Sequence, residues 1–192
     1  MNQSRHTFFL NHLKFLVFLL TISPICNLPL AAQTDEYTLK AAFLERFTRF
    51  IEWPGSSSVA DPEKPFTITV IGQNPFNTLL GDIYDNHRVK NKYVRIRYIN
   101  KINDIQDTDL LFISRSKKRS LAKIITRIAD KPILTVGDSE DYAAQGVHIN
   151  FYFSGTSIQF EINPEAMRGS QLQASFQLLK LARIVGTEGG IP

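Results

Sequence analysis

The side chains with chemistry to offer fall in small groups behind apolar runs. Ser114 and Arg115 follow LLFI, Asp138, Glu140 and Asp141 follow ILTVG, and Gln73 and Asn74 close FTITVIG. If those runs are strands of an open α/β sheet, their carboxyl ends form a rim where such sheets gather anions and small molecules. A plainer reading competes and is the stronger: Asp138 or Ser139 caps the next turn, and its neighbours are solvated. His148 and Glu161 face each other across the hairpin described below, an arrangement suited to proton transfer. No nucleophile or third orienting group accompanies them, and a cross-strand charge pair accounts for both. Gly72-Gln73-Asn74-Pro75 sits where a phosphate cradle would sit. It lacks the repeated glycines of a dinucleotide loop and the Gly-Lys-Ser/Thr of a P-loop. G-x-S-x-G, C-x-x-C and H-E-x-x-H are all absent, and His87 and His148 lie too far apart in sequence to suggest a metal-ligand cluster. No catalytic residue, metal or cofactor is therefore expected. The alternative is a small-molecule-binding or hydrolytic domain using Gln73, Ser114 and Asp138.

The elements that would position this rim are legible from period. VHINFYF (Val147 to Phe153) and SIQFEIN (Ser157 to Asn163) alternate apolar and polar residues, the signature of half-buried strands. With Ser154-Gly155 as the turn, Phe151 falls opposite Ile158, Ile149 opposite Phe160, and His148 opposite Glu161. Asn163-Pro164 caps and starts a short helix that Gly169 ends. Ser170 and Gln173 then read as a capping box for a last helix running through Leu172, Phe176, Leu179 and Ala182 to Val185.

Upstream, Asp35 to Ile51 has helical spacing, with an apolar stripe of Leu39, Ala42, Phe43, Phe47 and Phe50, stopped by Trp53-Pro54. FTITVIG, LLFI and ILTVG read as buried strands and YVRIRYI as an edge strand carrying Arg95 and Arg97. Asn74-Pro75 opens a helix through Phe76, Leu79, Leu80 and Ile83, and Leu121 to Ile128 forms another. Strands alternating with helices, closed by a hairpin, define an α/β class: one domain, a mainly parallel sheet flanked by helices, and a C-terminal antiparallel hairpin.

The chain has 192 residues with 22 basic and 18 acidic. Arg5 and Lys14 precede the apolar run Phe15 to Ile22, and Ala31-Ala32 follows: a cleavable secretory leader over residues 1–32 is expected. The domain then spans 33–186, and 187–192 is a flexible tail. Cleavage would remove the single cysteine, Cys26, together with two basic residues, leaving 20 basic against 18 acidic. A periplasmic, thiol-free domain of nearly balanced charge argues against nucleic acid as partner. Arg88, Lys90, Lys92, Arg95, Arg97, Lys101 and the Lys117–Arg127 segment read as a solvated basic face.

AAFLERFTRFIEWP (Ala41 to Pro54), ITVIGQNPF (Ile68 to Phe76), LLFIS, ILTVGD, GVHINF, FEINPEA and LLKLARIV, in this order, resemble the YfiR family of periplasmic regulators. The resemblance implies a single Rossmann-like domain, often dimeric, that acts without catalysis. It implies binding to the sensory part of an inner-membrane diguanylate cyclase or similar sensor, which is held inactive so that cyclic-di-GMP synthesis falls. A small-molecule effector and a homodimer are further partners to consider. Apolar residues beyond those the core needs would form the contact, and Trp53, with Tyr37 and Phe50 nearby, is the expected anchor. Gln73, Asn74, Ser114, Arg115 and Asp138 complete the expected binding residues.

Overall fold

A computed structural model describes residues 30–186, with side chains described from residue 36 onward. The tail at 187–192 and all but the last three residues of the expected leader lie outside them. The compact unit begins at Gln33.

The first helix, α1 (Leu30–Phe50), runs into a two-residue strand, β1 (Ile51–Glu52). There follow β2 (Phe66–Ile71), α2 (Leu79–Tyr84), β3 (Val94–Ile99), β4 (Leu110–Ile113) and α3 (Leu121–Ile128). The chain then forms β5 (Leu134–Gly137), β6 (Ile149–Ser154), β7 (Ser157–Ile162), α4 (Pro164–Gly169), β8 (Gln173–Ala174), α5 (Phe176–Leu181) and β9 (Arg183–Ile184). Seven strands make the main sheet in the order β3-β2-β4-β5-β6-β7-β9, and β1 pairs with β8 apart from it. Strands β2 to β6 are mutually parallel, β7 is antiparallel to β6, and β9 is parallel to β7. The fold is thus α/β and Rossmann-like, with helices over both faces and an antiparallel hairpin near its C-terminal edge.

The sheet separates two cores. On one face α1 packs Tyr37, Ala41, Leu44 and Phe47 over Ile68, Val70, Leu110, Phe112, Ile149 and Phe160. On the other, α3 packs Leu121, Ile124 and Ile128 over Ile71, Leu111, Ile113 and Tyr142. Continuous apolar runs follow from this double cover: β2, β4 and β5 are buried along their whole length. The edge position of β3 is likewise as its arginines indicate.

Several expectations are corrected. The hairpin pairs Phe151 with Phe160, Ile149 with Ile162 and Ser154 with Ser157, so the loop is Gly155-Thr156. Gly155 has φ +60° and Thr156 has no positive φ, the type II′ pattern that puts Gly first in the loop. Ser154 in that first place would be strained. The loop moves by one residue, the pairing by two, and each side chain keeps its face. Asn150, not His148, therefore faces Glu161. His148 instead accepts a hydrogen bond from the Thr135 amide at Nδ1 (3.1 Å) and meets Ser170 Oγ at Nε2 (3.2 Å). That engagement also removes Ser170 from any capping box. Gln173–Ala174 pairs with β1, and α5 is capped by Ser175, whose hydroxyl accepts from the Leu178 amide. The chain returns to the sheet at Arg183, so no helix reaches Val185. Asn74 makes an Asx turn, accepting from the Phe76 amide at 2.9 Å, and α2 starts only at Leu79. By contrast, Asn163 accepts from the Ala166 amide (2.9 Å) and caps α4 ahead of Pro164 as its sequence requires.

On α1 the expected stripe is rotated. The buried face is Tyr37, Lys40, Ala41, Leu44, Phe47 and Thr48. Leu39 is 46% and Phe50 37% exposed, Ala42 is exposed, and Phe43 is half-buried. Lys92, expected in a solvated face, is buried as well.

Candidate functional site

The site grows from Asp138, the first residue past β5. Its Oδ2 accepts hydrogen bonds from Tyr37 Oη (2.7 Å) and Lys40 Nζ (2.7 Å), and Arg115 Nη2 lies at 3.3 Å. Arg115 also donates from Nε to the Asp138 carbonyl (3.1 Å) and from Nη2 to Glu36 Oε1 (3.0 Å). Lys40 completes the ring with Glu36, one helical turn away. Tyr37 and Lys40 share a face of α1 because they are three residues apart, and that face lies over the carboxyl end of the sheet. The Lys40 ammonium is 4.4 Å from the centre of the Tyr37 ring, a cation–π contact that adds to the ion pair.

A second group stands beside the first. Asn150, on β6, donates from Nδ2 to the Ser139 carbonyl and to Glu161 Oε1, both at 2.9 Å. Arg183 of β9 donates from Nε to Glu161 Oε2 at 3.0 Å and lies over the Tyr152 ring at 3.9 Å. Between the two groups lies a cavity of about 450 Å³ lined by Lys40, Arg115, Asp138, Asn150, Glu161 and Arg183 among others.

Burial and the Asp138 charge raise the Tyr37 pKa, so this phenol stays a hydrogen-bond donor. Burial works against the Arg115 charge, yet Asp138, Tyr37 and Glu36 together outweigh it and its pKa rises. Glu161 raises that of Arg183. Both guanidiniums are thereby held in their charged form.

Two of the expected binding residues, Arg115 and Asp138, meet here. Ser114 lies beside them but looks elsewhere: its hydroxyl accepts from the Ser116 amide and its carbonyl accepts from Tyr142 Oη (3.2 Å). Gln73 donates its amide to Ser116 Oγ at 2.9 Å. At Gly72 (φ +101°) an added Cβ would come within 2.5 Å of Ser116 Oγ. The crevice between the ends of β2 and β4, where the strand order reverses, is therefore filled by Ser116 and Lys117, and the open space lies at β5 and β6. Trp53 belongs to another region. It packs edge-on to Phe66 (centroids 5.5 Å, 90°) beside a depression shared with Arg168 and Gln171. Tyr37, expected near Trp53 at a contact surface, is inside and bound to Asp138.

Lys40, Glu36, Asn150 and Arg183 were missed as site residues, and Tyr37 and Glu161 were singled out for other roles. One signal was present: Lys40 occupies the helical face shared by Ala41, Leu44 and Phe47, where an ammonium must find a carboxylate.

Fold and rim together define a Rossmann-like α/β domain with a charged recess at the carboxyl end of its sheet. The family model described as YfiR/HmsC-like matches residues 37–183, and the chain belongs to that family. Its members are regulatory rather than catalytic proteins, associated with the periplasm and with diguanylate cyclase signalling. No curated protein matches the chain significantly. Among the described residues no helix is long and apolar enough to cross a membrane, and no three potential metal ligands converge.

Proposed function

We propose that this protein is a periplasmic regulator that binds the sensory domain of an inner-membrane diguanylate cyclase and holds it inactive, lowering cyclic-di-GMP synthesis. Membership of the YfiR/HmsC-like family supports the class of function, and the apolar run behind Arg5 and Lys14 supports export. The observation that carries the reading is the second apolar stripe of α1. Leu39, Ala42 and Phe50 recur at helical spacing on an exposed face, and half-buried Phe43 joins that face to the core. Exposed Phe153 and half-buried Ile158 sit across from each other on the nearby hairpin, whose Phe151 and Phe160 rings lie 5.8 and 5.9 Å from that of Phe43. Half-buried Trp53 follows at the C-terminal end of the same helix. Aromatic and aliphatic side chains left uncovered in one region are what a protein interface uses as anchors.

Repression by such a face requires tighter binding to the inactive cyclase than to the active one, with a coupling of about 1–3 kcal/mol. Affinity purification from solubilised membranes tests the reading. The wild-type protein is expected to bring down a cyclase, and Leu39→Glu/Phe50→Glu to lose it while cellular cyclic-di-GMP rises. Trp53→Ala, if folded, should weaken repression. Recovery of only a second copy of this chain through the α1 face, with cyclic-di-GMP unchanged, would replace the regulator reading with a dimer interface.

A further inference from the structure

The helix on the other face of the sheet, α3, carries a run of cations without counter-charges. From Leu110 to Ala129 there are six, Arg115, Lys117, Lys118, Arg119, Lys123 and Arg127, and no carboxylate. Arg115 turns to Asp138 and Glu36, and the Lys117 ammonium donates to the Asn100 carbonyl at 2.6 Å. Lys118, Arg119, Lys123 and Arg127 are exposed and have no ion-pair partner among the described residues. Lys123 and Arg127 stand one turn apart, away from buried Leu121, Ile124 and Ile128, and Lys118 and Arg119 lie in the 3-10 turn that leads into the helix. Like charges at that spacing work against a helix, so the run needs a reason.

A face that is merely solvated mixes its charges, and this chain does so elsewhere: Arg49 pairs with Glu45, Lys64 with Asp61 and Arg183 with Glu161. Taking the six cations from the 20 basic residues downstream of the expected leader leaves 14 against 18 acidic, so one face is positive and the remainder is net negative. The carboxylates nearest in sequence are Asp109, which is buried, and Asp130, past the end of α3. Asp104 lies on the short 3-10 turn packed against the helix. What stands between the cations narrows the partner. The other exposed residues of α3 are Ala122 and Thr126, and its large apolar side chains are buried or half-buried. A protein partner uses aromatic or aliphatic anchors, which the outer stripe of α1 offers and α3 does not. An anionic bilayer needs only cations held within a screening length of its headgroups.

We propose that the outer face of α3 docks on anionic phospholipid headgroups and holds the protein at a membrane surface without inserting into it. Lys118, Arg119, Lys123 and Arg127 make the contact. Because α1 and α3 cover opposite faces of the sheet, the apolar stripe of α1 stays open while α3 is engaged. The proposal goes beyond the cyclase reading and does not depend on it, since the vesicles that test it contain no protein.

The test is flotation of the whole secreted chain with vesicles of phosphatidylglycerol and phosphatidylcholine, against vesicles of phosphatidylcholine alone. At about fivefold per exposed cation, four give half-binding near about 1 mM anionic lipid at low salt. Binding should fade between about 0.1 M and 1 M NaCl, as screening shortens from about 10 Å to about 3 Å. The variant K118Q/K123Q/R127Q should bind about a hundredfold more weakly. Its Tm should be wild-type or higher, because Gln suits a helix as well as Lys or Arg and the repulsion is relieved. R168Q/K180Q removes two exposed cations that lie outside this run and should bind as the wild type does. In detergent, the triple variant should still capture whatever protein the wild type captures. No flotation with the anionic vesicles, equal flotation with neutral ones, undiminished binding by the triple variant or an equal loss in R168Q/K180Q would each overturn the proposal. So would loss of protein capture in detergent by the triple variant, which would make α3 a protein interface instead.

Discussion

The two ends of the sheet handle buried charge in opposite ways. At the amino ends of the strands, Lys92 is 7% exposed and its ammonium is held by the carbonyls of Ser58 (3.0 Å), Lys64 (2.9 Å) and Asp61. Asp109, 2% exposed, takes the Thr67 amide on one oxygen (2.7 Å) and the Ser58 hydroxyl on the other. A hollow of about 260 Å³ touches this end, yet both oxygens of its buried carboxylate are satisfied. At the carboxyl ends, one oxygen of Asp138 serves Tyr37, Lys40 and Arg115 while the other serves nothing. The first arrangement ties the loop around Ser58 to the sheet and is complete. The second gathers charge from α1 and the ends of β4 and β5 and leaves one carboxylate oxygen without a donor.

Breaking the carboxyl rim should cost most. Asp138→Ala leaves buried Lys40 with Glu36 as its one counter-charge and strands the Tyr37 hydroxyl, and urea unfolding should show a loss of about 3–5 kcal/mol. Adding Lys40→Met should restore at least half of that. A loss below about 1 kcal/mol would mean that the cluster does not hold the rim.

Acid separates the two ends again. At the amino end of β6, burial lowers the pKa of His148 to about 4 from its usual 6.5, against a backbone hydrogen bond from the α4 side that raises it. Below pH 6.5 the unfolded chain binds a proton that the folded chain refuses, so stability is complete above that value and drains away as pH falls toward 4. Roughly 3 kcal/mol is at stake. Thermal unfolding between pH 7 and 4 should show the slope, and His148→Gln should flatten it. An equal slope in the variant would assign the acid sensitivity to other groups.

Opening the amino end should cost less. Asp109→Ala strands the Thr67 amide and the Ser58 hydroxyl, worth about 2 kcal/mol in chemical denaturation. If it matches Asp138→Ala, the contrast between the two ends fails. The smallest stability effect belongs to the outer stripe of α1: Leu39→Glu should stay within about 0.5 kcal/mol of wild type in the same assay. A larger loss would show that the stripe supports the fold rather than a partner.

The α/β class, the six longer strands and the parity of the hairpin were legible because each rests on residues close in sequence, whereas the two-residue strands β1, β8 and β9 were not. LLFI and ILTVG are short apolar runs that only a covered strand accommodates. Asn163-Pro164 needs nothing beyond the next turn to make its cap. The face of α1 was misread for an equally local reason. The helix carries two apolar stripes, and period alone does not say which one the sheet covers. Asn74-Pro75 looks like Asn163-Pro164 but makes only an Asx turn, and α2 begins four residues past its proline.

Arg115 and Asp138 were named from strand ends alone, and they meet because β4 and β5 are neighbours in the sheet. Their partners were not legible. Tyr37 and Asp138 are 101 residues apart and Lys40 and Asp138 98, and nothing short-range links them. By itself the sequence determined what each segment is and which of its side chains alternate, since backbone sterics and burial act over a few residues. Only the tertiary structure decided that α1 lies over the end of β5, that Gly155 rather than Ser154 begins the turn, and that one Asp138 oxygen is left without a donor. Those outcomes depend on strand order and crossover, which bring distant residues together through the packing of whole elements.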